Sequence, residues 1–457
     1  MSKTVSDINE KIKEGTVKVV RADEMTKIVR DLGPERAAQE VDVVTTGTFG
    51  AMCSSGVWMN FGHSEPPIKM TKVWLNDVEA YAGVAAVDAY LGATQPSKIR
   101  GIQYGGAHVI EDLLNGKPVV LRAVSYGTDC YPRKRIITQI TLDDLNFALM
   151  SNPRNGYQRY NAAANSGEKI LSTYMGKLLP RCGNVTFSGA GELSPLMNDP
   201  QYRTLGIGTR IFIGGAQGYI VGSGTQHNPQ NNFGTLMVQG DLKKMSPEFI
   251  RAATFTGYGC TLYVGIGVPI PVLNSEIAKN TGISDEEIFT DVLDYSIPSR
   301  NRPALKNASY AELKSGTIEI NGHQVPTSPL SSFWMAKKIA DLLKALIEKG
   351  EFKLSAAVEN LPLTATVKPL SLQSYPLPSS QPEPLSLPAG SKLYRDRKRC
   401  IHCGLCLALC KKRVFSRDKS WKVHVESTSC DRCGLCSDVC PVKAIFVAKN
   451  TTRNEKT

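Results

Sequence analysis

Nothing in this chain of 457 residues marks it for export or for a bilayer. Its opening, MSKTVSDINEKIKEG, mixes acids with bases and holds no apolar segment, so the pattern of a secretory signal is missing. The longest uncharged stretch, 252–275, contains Gly257, Gly259, Gly265, Gly267, Pro269 and Pro271 and reads as buried strands and turns rather than a membrane span. A cytoplasmic protein is expected. Also missing are a GxGxxG ahead of a helix and a GxxxxGK[ST] loop, so the glycine-rich run at 206–224 reads as tight turns, with Thr225, Gln226, His227 and Asn228 as polar groups beside it. The net charge of +12 comes without aromatics interleaved among the bases, which argues against a nucleic-acid partner. An apolar share of 42% is enough for a sizeable core, and the length suits two to four domains.

What the chain does have is a cysteine pattern near its end. Cys400, Cys403, Cys406 and Cys410 are followed by Cys430, Cys433, Cys436 and Cys440, the last before Pro441, and this repeats CxxCxxCxxxC. Three thiolates at two-residue gaps wrap three corners of one [4Fe–4S] cube, and the fourth reaches the other cube, as in two-cluster bacterial ferredoxins. The pattern assigns Cys400, Cys403, Cys406 and Cys440 to one cluster and Cys430, Cys433, Cys436 and Cys410 to the second. Zinc knuckles would pair two CxxC hooks instead. Lys411 stands where a proline often follows the first run. Two such clusters carry roughly four negative charges when oxidised, a local reason for bases such as Arg397, Lys398, Arg399, Lys412 and Arg413.

Composition divides the chain. Prolines 362, 369, 376, 378, 382, 384 and 388 make 361–391 a Pro/Ser-rich linker between a large domain, 1–360, and a ferredoxin domain, 392–450, with a polar tail at 451–457. In the large domain, apolar runs at 41–44, 119–124, 136–140, 211–214, 219–221 and 262–266 read as strands. Patterns at 25–31, 77–90, 142–150 and 285–293 read as helices, and 333–349 as an amphipathic packing helix closing the domain. The mixture predicts an α/β or α+β large domain.

Eight cysteines at cluster spacing leave Cys53, Cys130, Cys182 and Cys260. In a reducing compartment these are free thiols, and a lone cysteine is most often a small buried hydrophobe. Cys53 follows a predicted strand among small residues suited to opening a helix, where unpaired N–H groups would favour thiolate. Cys130 lies between Asp129 and the cations Arg133, Lys134 and Arg135. Cys182 and Cys260 stay with the packing reading.

The runs VVTTGTFGAMCSSG, FGHSEPPIKM, YGTDCYPRK and GGAQGYIVGSGTQH resemble the homocysteine biosynthesis family of anaerobes, the L-aspartate semialdehyde sulfurtransferases, over about residues 15–360. In that family a two-cluster ferredoxin, often a separate chain, works with the large domain, and some members carry a CBS pair that has no counterpart here. The resemblance implies Cys130 as sulfur carrier, holding a persulfide or attacking the aldehyde, and Cys53 as a supporting thiol that resolves a disulfide by exchange. The implied reaction joins aspartate semialdehyde, sulfide or another sulfur donor, and two electrons from a low-potential donor to give homocysteine and water. Arg133 or Lys134 would hold the substrate carboxylate. His63, Glu65 and His108 are candidate proton donors. Two other functions fit a ferredoxin fused to a large domain: a sulfur-relay or electron-transfer protein for iron–sulfur or cofactor assembly, and a ferredoxin-dependent reductase of another carbonyl compound.

Overall fold

The computed structural model describes residues 2–155, 158–365, 367–371 and 391–449. Most of the expected Pro/Ser-rich linker, and the whole polar tail, lie outside them. The chain forms two compact units, residues 1–369 and 370–457. The large one mixes α and β, and the small one pairs Ser391–Arg395 with Ile445–Lys449 and Phe415–Arg417 with Val423–Val425 and carries two short helices, Leu405–Leu409 and Leu435–Asp438. Among the described residues no helix is long and apolar enough to cross a membrane.

The large unit is built on a nine-stranded, mainly antiparallel sheet in which Gly259–Gly267 and Phe147–Asn155 are interior strands. Alternation explains them: Leu262, Val264 and Ile266 are buried on one strand, Ala148 and Met150 on the other. A six-stranded sheet carries Val119–Val124 and Arg135–Ile140 as a hairpin, and a second six-stranded sheet contains Ala162–Ala164, Val185–Phe187, Phe289–Asp294 and His323–Pro329. Phe333–Glu348 is the expected amphipathic helix, with Ala336, Ile339, Ala340, Leu343 and Ile347 buried at helical spacing. It lies so close over the start of Thr48–Ala51 that a Cβ on Gly47 would come within 2.0 Å of the Ala336 carbonyl oxygen.

Three segments read as helices are not helices. In 77–90 the chain makes a hairpin whose Asn76 and Asp77 sit at φ 46° and 66°, and Val78–Ala80 and Asp88–Gly92 are strands. At 142–150 the Asp144 carboxylate accepts from the Thr141 N–H and closes a single turn, after which Phe147 enters a strand paired on both sides. At 285–293, Phe289–Asp294 alternates with Thr290, Val292 and Asp294 inside and lies between Ala162–Ala164 and Ala304–Ser309. In each case pairing with distant strands outweighs local helical spacing.

Asp42, buried ahead of Val43–Thr45, ties the N-terminal helix Val5–Glu14 to the core. Its Oδ1 lies 2.8 Å from Lys3 Nζ and 2.7 Å from Lys11 Nζ, and its Oδ2 accepts from the Lys18 N–H at 3.0 Å. Burial alone would raise this carboxyl, but the ammonium groups of Lys11 and Lys3 and the Lys18 N–H outweigh it and hold it below its usual range. A depressed folded value means that its stabilisation is complete above the unfolded value, about pH 4, and is lost as pH falls through the folded one. Asp42→Asn should cost about 2 kcal/mol at pH 7 and flatten the acid limb of stability, as urea unfolding between pH 3 and 7 will register.

Candidate active site

Cys53 lies in the turn joining Thr48–Ala51 to Gly56–Asn60. No helix begins there, so the expected helix N-terminus is corrected to a turn between two strands. The turn is fixed from several sides: Met52 N–H donates to Leu262 O at 2.7 Å, Ser55 N–H to Met52 O at 3.0 Å, and Asn152 Nδ2 to Ser55 Oγ at 2.7 Å. The Cys53 sulfur is half-buried, 3.2 Å from Thr261 Oγ1.

That sulfur opens into a cleft of about 700 Å³. One wall comes from the nine-stranded sheet, with Cys53, Ser54 and Cys260. The facing wall comes from residues flanking strands of the second six-stranded sheet, among them Tyr160, Ser188 and Leu330, and from Tyr174 on the hairpin between Leu171–Thr173 and Gly176–Leu178. Tyr263 OH donates to Leu330 O at 3.0 Å and pins the walls together. The cleft size suits a small metabolite, and its mixed polar and aromatic surface suits a polar one.

Cys260 is the residue that sequence reasoning missed. It is 1% exposed, its thiol donates to Ile102 O at 3.0 Å, and burial pushes its pKa up, yet it lines the same cleft as Cys53. No local signal marks it, because its place follows from the pairing of Gly259–Gly267 with Thr48–Ala51. Cys182 lies outside this cleft, its N–H donating to Asn165 O at 2.7 Å, and burial together with Asp294 raises its thiol.

Cys130 sits exposed on the loop between Val119–Val124 and Arg135–Ile140, with Thr128 Oγ1 3.5 Å from its sulfur. This loop packs against the His63 segment. The His63 ring stacks on Tyr131 with centroids 5.4 Å apart, and the Arg133 guanidinium donates to the carbonyls of Glu65 and Pro66. The structure thus gathers Cys130, His63, Glu65, Arg133 and Lys134 at one surface region. His108 is elsewhere, at the start of Gly106–Leu114, where its Nδ1 accepts from the Gly105 N–H at 3.1 Å and burial lowers its pKa.

Cys53 precedes Gly56–Asn60, and His63, whose ring stacks on Tyr131 of the Cys130 loop, follows that strand. Both thiols are free, and Cys53 lines the cleft while Cys130 is not among its lining residues.

In the small unit the eight cysteines surround two separate cavities. One is lined by Cys400, Cys403, Cys406 and Cys440, the other by Cys410, Cys430, Cys433 and Cys436. Apolar groups such as Val423 and Ile445, or Leu393 and Val414, complete the linings. Among the described residues no three His, Cys, Asp or Glu side chains converge on a point suited to a single ion. Four thiols around a hollow fit a cube of iron and sulfide.

Comparison with known proteins agrees with this division. The family model described as homocysteine biosynthesis enzyme, sulfur-incorporation, matches residues 17–354, and that of a 4Fe-4S dicluster domain matches residues 399–444. The L-aspartate semialdehyde sulfurtransferase of Methanosarcina acetivorans is 62% identical over 378 residues, covering 82% of this chain and 76% of that protein. The protein of the same name from Methanocaldococcus jannaschii is 57% identical over 374 residues, 79% of this chain and 73% of that one. An uncharacterised protein of Methanothermobacter thermautotrophicus is 33% identical over 329 residues, 70% of this chain and 73% of that one. No solved structure matches the chain. The chain therefore belongs to the sulfur-incorporating homocysteine biosynthesis enzymes, a sulfurtransferase carrying an iron–sulfur domain of the dicluster type at its C-terminal end.

Proposed function

We propose that the chain converts L-aspartate 4-semialdehyde, sulfide, two electrons and two protons to L-homocysteine and water. The observation that carries this reading is a thiol, Cys53, held in a polar cleft sized for one small metabolite, in a chain that also brings eight cluster-spaced cysteines. The relatives' name supplies the substrate.

Cys53 adds to the aldehyde carbon, forming a thiohemiacetal. Loss of the hydroxyl as water leaves a sulfur-stabilised cation, which sulfide captures to give a dithioacetal. Two electrons and two protons then cleave the bond to Cys53, releasing homocysteine and the free thiol. Cys130, exposed among Arg133, Lys134 and Arg135, receives sulfur from a donor as a persulfide. Its release as sulfide takes two further electrons. Cys400, Cys403, Cys406 and Cys440 would hold one 4Fe–4S cluster, and Cys410, Cys430, Cys433 and Cys436 the second. When bound, such clusters supply electrons one at a time, at the low potential this reduction requires.

Cys53→Ser should abolish homocysteine formation from free sulfide in an anaerobic assay with a low-potential reductant, while Cys130→Ser should keep that activity and lose turnover from a persulfide donor. Undiminished turnover of Cys53→Ser would remove the covalent role given to it.

Reconstituted protein should hold about eight irons. Cys406→Ser and Cys436→Ser should each lose about half, measured by iron analysis and electron paramagnetic resonance, and stoichiometric zinc in place of iron would contradict the cluster assignment.

A further inference from the structure

A thiol that adds to a carbonyl has to be aimed, and a cysteine side chain can change rotamer even where its backbone is fixed. The backbone hydrogen bonds of the Cys53 turn hold its chain path and leave the direction of the sulfur open. A contact from the adjoining strand sets that direction. Thr261 lies in the interior strand Gly259–Gly267, fully buried and paired with Ala253 on one side, while the next carbonyl, Leu262 O, takes the Met52 N–H on the other. Its Oγ1 is 3.2 Å from the Cys53 sulfur. A β-branched side chain packed inside a sheet is stiff about its first torsion, so the place of this hydroxyl is set by the strand. Thr261 is not among the residues lining the cleft, and its route to a bound molecule runs through Cys53.

We propose that Thr261 is a positioning residue that holds the Cys53 sulfur at the cleft and donates its hydroxyl proton to that sulfur when it carries negative charge. This rests on the covalent role proposed for Cys53. The nearest groups on the same strand are directed elsewhere. Tyr263 OH donates to Leu330 O at 3.0 Å, and burial together with the charge of Cys53 keeps its phenol protonated, while the Cys260 S–H points at Ile102 O at 3.0 Å.

A hydrogen bond to a charged acceptor is roughly twice as strong as one between neutral groups. The contact therefore stabilises the thiolate that attacks the aldehyde and weakens once the sulfur is a neutral thioether. It strengthens again in the last step. There Cys53–S–CH(SH)–R takes two electrons from the low-potential donor, the carbon–sulfur bond breaks, and its pair leaves with the Cys53 sulfur as thiolate. The carbon takes one proton and becomes the CH2 of the product, and the thiolate takes the other. Thr261 keeps its own proton throughout.

Three substitutions separate this role from packing. Thr261→Val puts a methyl in place of the hydroxyl, whereas Thr261→Ser and Thr261→Ala both lose the methyl and differ from each other by the hydroxyl alone. In the full-length protein under anaerobic conditions, alkylation of Cys53 by iodoacetamide, followed on its own peptide by mass spectrometry, should slow about tenfold in Thr261→Val and Thr261→Ala and stay within about twofold of wild type in Thr261→Ser. The kcat for homocysteine should fall in the same order, with KM for the aldehyde within about twofold. A packing role predicts the reverse, Thr261→Val normal and Thr261→Ser impaired along with its melting temperature. Wild-type alkylation in Thr261→Val and Thr261→Ala would overturn the assignment, as would a Thr261→Ser protein as slow as Thr261→Ala, or undiminished kcat where alkylation is slowed. Where Thr261→Val fails to fold, the Ser and Ala pair decides alone. If the wild-type protein forms no homocysteine, the proposed reaction falls, and the alkylation rates still decide whether Thr261 holds the sulfur.

Discussion

The large unit depends on one antiparallel pairing, the strand Thr48–Ala51 against Gly259–Gly267. It continues past the strand end through the Met52 N–H, so the turn bearing Cys53 is hydrogen-bonded to the core of the nine-stranded sheet rather than left as a mobile loop. A thiol on such a turn keeps its position to within the small displacements of a sheet, as the covalent addition proposed for Cys53 requires. Gly47, with no room for a side chain beneath Phe333–Glu348, lets that helix press on the same strand from behind.

What could be read from the sequence follows from the range of the physics involved. The cysteines expected to hold clusters are spaced by covalent chain geometry within a few residues, and the same two sets of four line two cavities. The helix 333–349 was legible because one buried face repeats every turn. The cleft was not, because its lining comes from segments around residues 51–54, 94, 160, 174, 188, 226, 258–260 and 330, which only sheet pairing brings together. Cys260 is the clearest case, since its own surroundings, GYGCTLY, describe an ordinary buried strand residue.

The three false helices share a cause. Each carries apolar residues at spacings that also satisfy a strand, and the partner that decides lies far away in sequence: Trp58 opposite Leu149, Asn60 opposite Asp88, Val292 beside Ala162. The Cys130 region was legible in a different way. Resemblance pointed to Cys130, while His63 and Glu65 were separate candidates as proton donors and Arg133 as a carboxylate holder; the ring stacking of His63 on Tyr131 and the Arg133 hydrogen bonds are what bring these segments together.

The interior of the small unit is thin. Beyond Cys406, Cys436 and Cys440, its buried apolar residues are Val414, Phe415, Val423, Ala444 and Ile445 among those described, too few to order a domain of this length by burial alone. The thiols around the two cavities supply much of what should be core, so with the clusters proposed for this unit, loading with metal and folding would be one event. The large unit carries its own interior and does not share that dependence. With the clusters proposed for it, iron supply would act as a thermodynamic gate on the C-terminal fifth of the chain alone: under scarcity the cell would hold a folded large unit beside an unfolded small one, a stock that regains the small unit when iron returns.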